Sequence, residues 1–200
     1  MLVASLGSKS RRFGQIKKTI INVNLSIYYS HFLLCLSILV GASSGSLFNL
    51  WLIIEINTVL FLLVIITTRD RVGGGGLSKY FIVQALSSLV MIIGVVYSPY
   101  TGAGLMVAQA SMVVKLGAIP GHMWYVSIIQ DLGWVNIFTL STLQKILPLL
   151  GLIVVTPQYV IAALFSLSAT ASIFATMSSS LKRLIGYSSI LSVSWLIAAS

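Results

Sequence analysis

Four side chains in this 200-residue sequence could move protons inside apolar surroundings: Glu55, Lys115, Lys145 and His122. The lysines share one stretch, Met112 to Pro148 (MVVKLGAIPGHMWYVSIIQDLGWVNIFTLSTLQKILP), and each is embedded in apolar sequence long enough to cross a membrane. A lone charge at a bilayer centre costs roughly 2.5–3.5 kcal/mol on insertion scales, so two of them in adjacent spans point to a function. Gly117, Pro120 and Gly121 interrupt the first span just past Lys115, because proline removes a backbone donor and glycine weakens helix continuity. Non-helical backbone at membrane depth is tolerated only where protein buries it or where it lines a wet cavity, as in the broken helices of transporters.

Glu55 lies in WLIIEINTVL, about 13 Å of helix from the nearer end of its span, too far for a glutamate to snorkel. Lys145 is expected about 17 Å from either end of its own helix, beyond the reach of a lysine stem. Each group needs a partner, a water cavity or the loss of its charge, since burial disfavours the ionised form. Each could also be a polar clamp between helices. Three such groups in three of four successive spans, with a helix break beside one, favour a proton or ion path. His122, two residues past Pro120, has the ordinary pKa of about 6.5 that suits a relay, or its ring is satisfied by local hydrogen bonds. His31, beside Tyr28 and Tyr29, reads as interfacial. Trp134 reads as a belt anchor, and Trp51, Trp124 and Tyr187 as belt or packing residues. Gly73 to Gly76 is a flexible turn; it lacks the lysine and hydroxyl residue of a phosphate-binding loop.

The elements that must position these groups are membrane helices. Hydrophobic residues make up 58% of the chain and charged ones 8%, with a mean hydropathy of +1.03, which excludes an ordinary soluble domain. Seven apolar spans of about 20 residues are expected: Leu25 to Ala42, Ser46 to Thr67, Lys79 to Ser98, Ala103 to Gln130 broken near Pro120, Gly133 to Val155, Gln158 to Met177, and Leu184 onward. Short connections join them at Ala42 to Gly45, Gly73 to Gly76, Pro99 to Gly102 and Thr156–Pro157.

The net charge of +9 comes mostly from the N-terminus and short connections, the distribution of topology determinants and not of a nucleic-acid-binding face. Basic residues alternate: five precede the first span, Arg69, Arg71 and Lys79 flank the second connection, Lys182 and Arg183 the sixth, and the first, third and fifth have none. Asp131 in the fourth carries little weight. The positive-inside rule then puts the N-terminus, Arg69 to Lys79, Asp131 and Lys182 to Arg183 on the negative side. The basic, serine-bearing segment before Ile20 reads as a transit segment or as a flank holding the first helix in place. Cys35 is the single cysteine, so this sequence alone assembles no intramolecular disulfide, zinc or iron–sulfur cluster.

The segments WLIIEINTVLF, SKYFIVQALSS, MVVKLGAIPGHMW, LQKILPL and SSSLKRLIGYSSI, in this order and spacing, closely resemble chain 2 of NADH:ubiquinone oxidoreductase, respiratory complex I, over about Phe48 to Ala199. The resemblance implies an all-α, polytopic, antiporter-like subunit of the membrane arm, built from inverted five-helix repeats and sited in the mitochondrial inner membrane with its N-terminus on the matrix side. Residues 1–24 would be the basic flank, 25–156 the first repeat and 157–200 the start of a second, incomplete one. The family's buried glutamate falls on Glu55, its broken-helix lysine on Lys115, the next lysine on Lys145 and the histidine after the break on His122. In that scheme Glu55 sets the proton affinity of Lys115, and separating the two lets Lys115 pass a proton toward Lys145 along internal water. NADH, FMN, iron–sulfur clusters and ubiquinone belong to partner subunits, with no cofactor or metal held by this chain. Implied partners are the other membrane-arm subunits, phospholipids including cardiolipin, and a separate chain that completes the second repeat and supplies its broken helix and buried lysine.

Departures from the family pattern stand at Ser192, where a histidine is common, at Ser194, where a glycine is common, and at Val126 and Ser127, where a proline–glutamate pair is common. They bear on the link from Lys145 onward. Three functions therefore stay open: a proton-translocating subunit, a scaffold that keeps the buried charges without conducting, and a stand-alone cation/proton antiporter subunit.

Overall fold

The computed structural model describes residues 25–68, 74–118, 121–155, 173, 175 and 177–198. These residues form helices and turns, with no strand among them. In chain order the helices are α1 (Leu25–Ala42), α2 (Leu47–Thr67), α3 (Gly74–Tyr97), α4 (Gly102–Leu116), α5 (His122–Asp131), α6 (Trp134–Ser141), α7 (Leu143–Val155) and α8 (Leu181–Ala198). The first three, and α6 with α7 taken together, are long and apolar enough to cross a bilayer. The protein is a polytopic helical membrane protein, and its burial pattern shows the reason. Leu39, Ile82, Leu86, Ile93 and Met106 face outward, whereas Asn57, Gln84, Ser88, Lys115, Gln144 and Lys145 are buried. Water would reverse that preference; acyl chains enforce it.

Two apolar clusters fill the interior, and the chain passes between them on every span. Leu34 of α1, Phe61 of α2, Tyr80 of α3, Tyr125 of α5 and Leu140 of α6 belong to the first. Ile38 of α1, Ile54 of α2, Met91 of α3, Met112 of α4 and Leu147 of α7 belong to the second. Between the two anchors of each helix falls a polar residue: Ser37 on α1, Asn57 on α2, Gln84 and Ser88 on α3, Gln144 and Lys145 on α7. The charged residues thus share a mid-depth layer roofed and floored by hydrocarbon side chains.

The first cluster lies at the end where the basic connections gather. There the Asn136 amide donates to Thr68 Oγ1 at 2.7 Å, Lys79 Nζ reaches Ser127 Oγ at 3.4 Å, and Lys182 Nζ donates to the Leu132 and Gln130 carbonyls at 2.6 and 3.1 Å. Lys182 thereby caps the C-terminal end of α5, where a cation is favoured by the exposed carbonyls. Lys79, Asp131, Lys182 and Arg183 therefore share one end, as the charge alternation requires; Arg69 and Arg71 lie outside the described residues.

α3 and α4 approach most closely. A Cβ on Gly94 would lie 2.5 Å from the Ala108 nitrogen, and one on Gly104 would lie 2.5 Å from the Ser98 nitrogen, so only hydrogen fits at this crossing. That contact brings Gln84 and Ser88 against Lys115.

Several expected boundaries shift. α3 starts at Gly74 and so takes up three of the four glycines read as a turn, with Leu77 and Tyr80 seated on the first cluster to hold its first turns in place. α8 starts at Leu181, three residues early. The span expected at Gln158 to Met177 lies almost wholly outside the described residues, as does Pro120. The largest correction concerns the Gly133 to Val155 span, which is not continuous. It breaks at Thr142 (φ −111°, ψ −75°), with Lys145 N donating to Thr142 O at 3.2 Å in a tightened turn. Pro148, inside α7, has no proton for the Gln144 carbonyl and crowds it, which loosens the helix on that side. Lys145 therefore sits in the first turn of α7 and not at mid-helix.

Candidate functional site

The break after Lys115 is a helix terminus of defined chemistry. Gly117 is left-handed (φ 67°); its N–H donates to Val114 O at 3.0 Å and that of Ala118 donates to Val113 O at 3.2 Å, the paired bonds of a Schellman ending. Two side chains add to these: Trp124 Nε1 gives Val114 O a second donor at 3.0 Å and Gln84 Nε2 donates to Lys115 O at 3.4 Å. Ending there places the Lys115 ammonium beside the negative end of α4, a favourable site for a cation.

That ammonium is buried. It donates to Ser88 Oγ at 2.8 Å and lies 3.5 Å from Gln84 O and 3.9 Å from Glu55 Oε2, the single ion pair among the described residues. Ser88 Oγ also donates to Glu55 Oε2. Glu55 and Lys115, read from sequence as unusual charges in different spans, are thus brought together, with Ser88 between them. The Lys115 side chain is 1% exposed and that of Glu55 38%, so the carboxylate stands at the edge of the layer and the ammonium inside it.

On its inner side Lys115 lines a cavity of about 10 Å³, room for about one water. Lys145 lines the same cavity, with Asn57, Tyr80, Gln84, Tyr125 and Gln144 among the other walls. Gln144 Oε1 accepts from Asn57 Nδ2 at 3.3 Å and Tyr80 Oη at 3.4 Å, which leaves its buried Nε2 as a donor without a partner among the described residues, beside both lysines. Lys145 faces away to α8: its Nζ donates to Ser189 Oγ at 2.7 Å and Ser189 O at 3.0 Å and sits 4.4 Å from the centre of the Tyr125 ring. Tyr125 Oη in turn lies 3.0 Å from Ser189 Oγ. Because a helix N-terminus gives a cation no help, α5 and α8 supply what holds this one. Glu55, Ser88, Lys115, the cavity, Lys145 and Ser189 therefore form a continuous polar series across α2, α3, α4, α7 and α8.

His122 does not join it. The ring sits at the start of α5, half-buried and 6.5 Å from the Tyr187 ring, and does not line the cavity. His31 bridges α1 to α6 through Ile27 O at 2.9 Å and Thr139 Oγ1 at 3.4 Å. Of the tryptophans, Trp51 donates to Ser88 O at 3.0 Å and Trp124 to Val114 O, so both are packing residues, whereas Trp134 is exposed. Sequence reasoning missed Gln84, Ser88, Gln144, Tyr125 and Ser189. A signal existed for two of them: Tyr80, Gln84 and Ser88 recur every four residues, a polar stripe down one face of an apolar helix.

No family model matches the chain. Curated proteins do. It is similar to proteins named NADH-ubiquinone oxidoreductase chain 2 from Lumbricus terrestris (27% identical, covering 82% of this chain and 52% of that protein) and Artemia franciscana (30% identical, 82% and 53%). The chain spans about half the length of these curated relatives. It is also 32% identical to the protein of that name from Artemia salina over 115 residues, which cover 58% of this chain and 75% of that relative. At 32% identity over three quarters of the Artemia salina relative, and with helices long and apolar enough to cross a membrane, the chain belongs to the NADH-ubiquinone oxidoreductase chain 2 family.

Proposed function

We propose that the chain is a proton-translocating subunit in the membrane arm of NADH:ubiquinone oxidoreductase, coupling quinone reduction to proton movement. The observation that carries this reading is the cavity shared by Lys115 and Lys145, with Glu55 paired to the first lysine and Ser189 to the second. When Glu55 holds its proton or withdraws, Lys115 loses the charge that favours its ionised form and can give up a proton through water in the cavity to Lys145. Lys145 then hands it toward α8. The roles follow: Glu55 controls, Lys115 donates and Lys145 accepts. His122, away from the cavity, would serve only as an outer relay. No redox step falls to this chain; hydride, electron and quinone chemistry belong to subunits carrying FMN, iron–sulfur clusters and the ubiquinone site. Other membrane-arm subunits and phospholipids including cardiolipin are the proposed partners. The proposed site is the mitochondrial inner membrane, with the basic end toward the matrix.

Lys115→Met and Lys145→Met in the assembled enzyme, reconstituted into vesicles, test it. Each should lower the number of protons moved per electron while complex abundance stays unchanged. An unchanged ratio in both would establish the scaffold reading instead.

A further inference from the structure

We propose that the Ser88 hydroxyl is the proton relay between Lys115 and Glu55. This rests on the proton-translocating reading and deepens it. The two charged groups stand 3.9 Å apart, beyond the roughly 2.7–3.2 Å of an N–H···O hydrogen bond, so no proton passes directly between them in this arrangement. Ser88 Oγ closes the gap on both sides: it accepts from Lys115 Nζ at 2.8 Å and donates to Glu55 Oε2. Its position is held from behind, because Trp51 Nε1 donates to the Ser88 carbonyl at 3.0 Å and fixes that turn of α3 against α2.

The step balances without a co-reactant. An N–H bond of Lys115 breaks as that proton joins Ser88 Oγ, and the original serine proton leaves to form an O–H bond on Glu55 Oε2. Serine is regenerated, the ion pair becomes neutral amine and neutral acid, and no group is oxidised or reduced. The reverse transfer, from protonated Glu55 through Ser88 to a neutral Lys115, restores the charges and reloads Lys115 after it has given a proton to Lys145. Ser88 Oγ also lies 2.9 Å from the Gln84 carbonyl, a second acceptor for the same hydroxyl proton. With the hydroxyl turned to Gln84 the relay is interrupted, and with it turned to Glu55 the relay is complete, so one bond rotation in Ser88 gates the pair. Burial of Ser88 keeps bulk water from replacing it.

The test is Ser88→Ala and Ser88→Thr in the assembled, vesicle-reconstituted enzyme, beside Lys115→Met. Ser88→Ala keeps both charges yet should slow proton transfer through the pair by roughly a hundredfold, the lower end of the usual effect of a positioned proton-transfer group. Protons moved per electron should fall toward the Lys115→Met value, and the infrared carbonyl band of protonated Glu55 should vanish from difference spectra. Ser88→Thr should restore both. If Ser88→Ala lowers assembly, Ser88→Gly, which also lacks the hydroxyl, carries the same expectation, with the ratio read per assembled enzyme. A normal ratio and band in Ser88→Ala beside a lowered ratio in Lys115→Met overturns the relay and leaves the proton-translocating reading in place. Loss in Ser88→Thr equal to that in Ser88→Ala, at normal abundance, also overturns the relay. An unchanged ratio in Lys115→Met overturns both.

Discussion

At Lys145 the ammonium is held by a hydroxyl, a carbonyl and an aromatic face, with no carboxylate beside it among the described residues. That suits the proton-accepting role proposed for it, because no fixed negative charge locks the amine in its protonated form. The partners are unequal. Ser189→Ala removes a charge-assisted hydrogen bond, typically worth about 1.5–3 kcal/mol. Tyr125→Phe keeps the ring over the cation and loses only the Ser189 contact, near the average of about 0.6 kcal/mol for polar contacts between membrane helices. Tyr125→Leu forfeits a desolvated cation–π contact of about 2 kcal/mol. Thermal inactivation of the assembled enzyme should therefore rank Tyr125→Phe as mildest and the other two as clearly more severe. If Tyr125→Phe proves as damaging as Tyr125→Leu, the ring is not what holds the lysine.

At the scale of elements, the two helix breaks create the site, and they have different causes. The ending after Leu116 depends on Gly117, whose φ of 67° disfavours other residues and whose missing Cβ would lie 2.7 Å from Tyr125 Cβ. Gly117→Ala combines about 1–2 kcal/mol for the left-handed backbone with about 1–3 kcal/mol of overpacking. The displaced ring is the one over Lys145, so damage at the first break should reach the second lysine. Gly121→Ala is the control, since its Cβ would meet nothing closer than 3.4 Å. Levels of assembled enzyme should drop several-fold in the first variant and hold in the second; equal levels would show that the break tolerates a side chain. The second break is at Thr142, which starts α7 at Leu143 and so puts Gln144 and Lys145 in its first turn, where both line the cavity; Pro148 then leaves the Gln144 carbonyl without its helical donor.

At the scale of the whole molecule, the basic residues gathered at one end carry the proposed orientation. The cluster containing Leu34, Phe61 and Leu140 lies toward Lys79, Lys182 and Arg183, and the positive-inside rule assigns that end to the negative side. In a Cys35→Ser background, Ser179→Cys should react with an impermeant maleimide only from the matrix side, and Ser43→Cys, exposed at the opposite end, only from the intermembrane side. The reversed pattern would overturn the orientation.

The sequence alone determined the class of protein, the break after Lys115 and three of the charged residues in the polar layer, because a charge inside twenty apolar residues and a glycine–proline interruption are local signals that hydrocarbon makes costly. It also carried the family resemblance. Only the tertiary structure decided that Glu55 and Lys115 meet across Ser88, that Lys145 stands at the start of a helix, and that His122 lies apart. The reason is physical. Serine, glutamine and tyrosine are common in membrane helices and cost little at an interface, so their presence in the sequence says nothing until packing selects which of them face the same few cubic ångströms. Ser88 and Ser189 are two of many serines in the chain; the close crossing of α3 with α4 and the docking of α8 on α5 and α7 set these two beside the lysines.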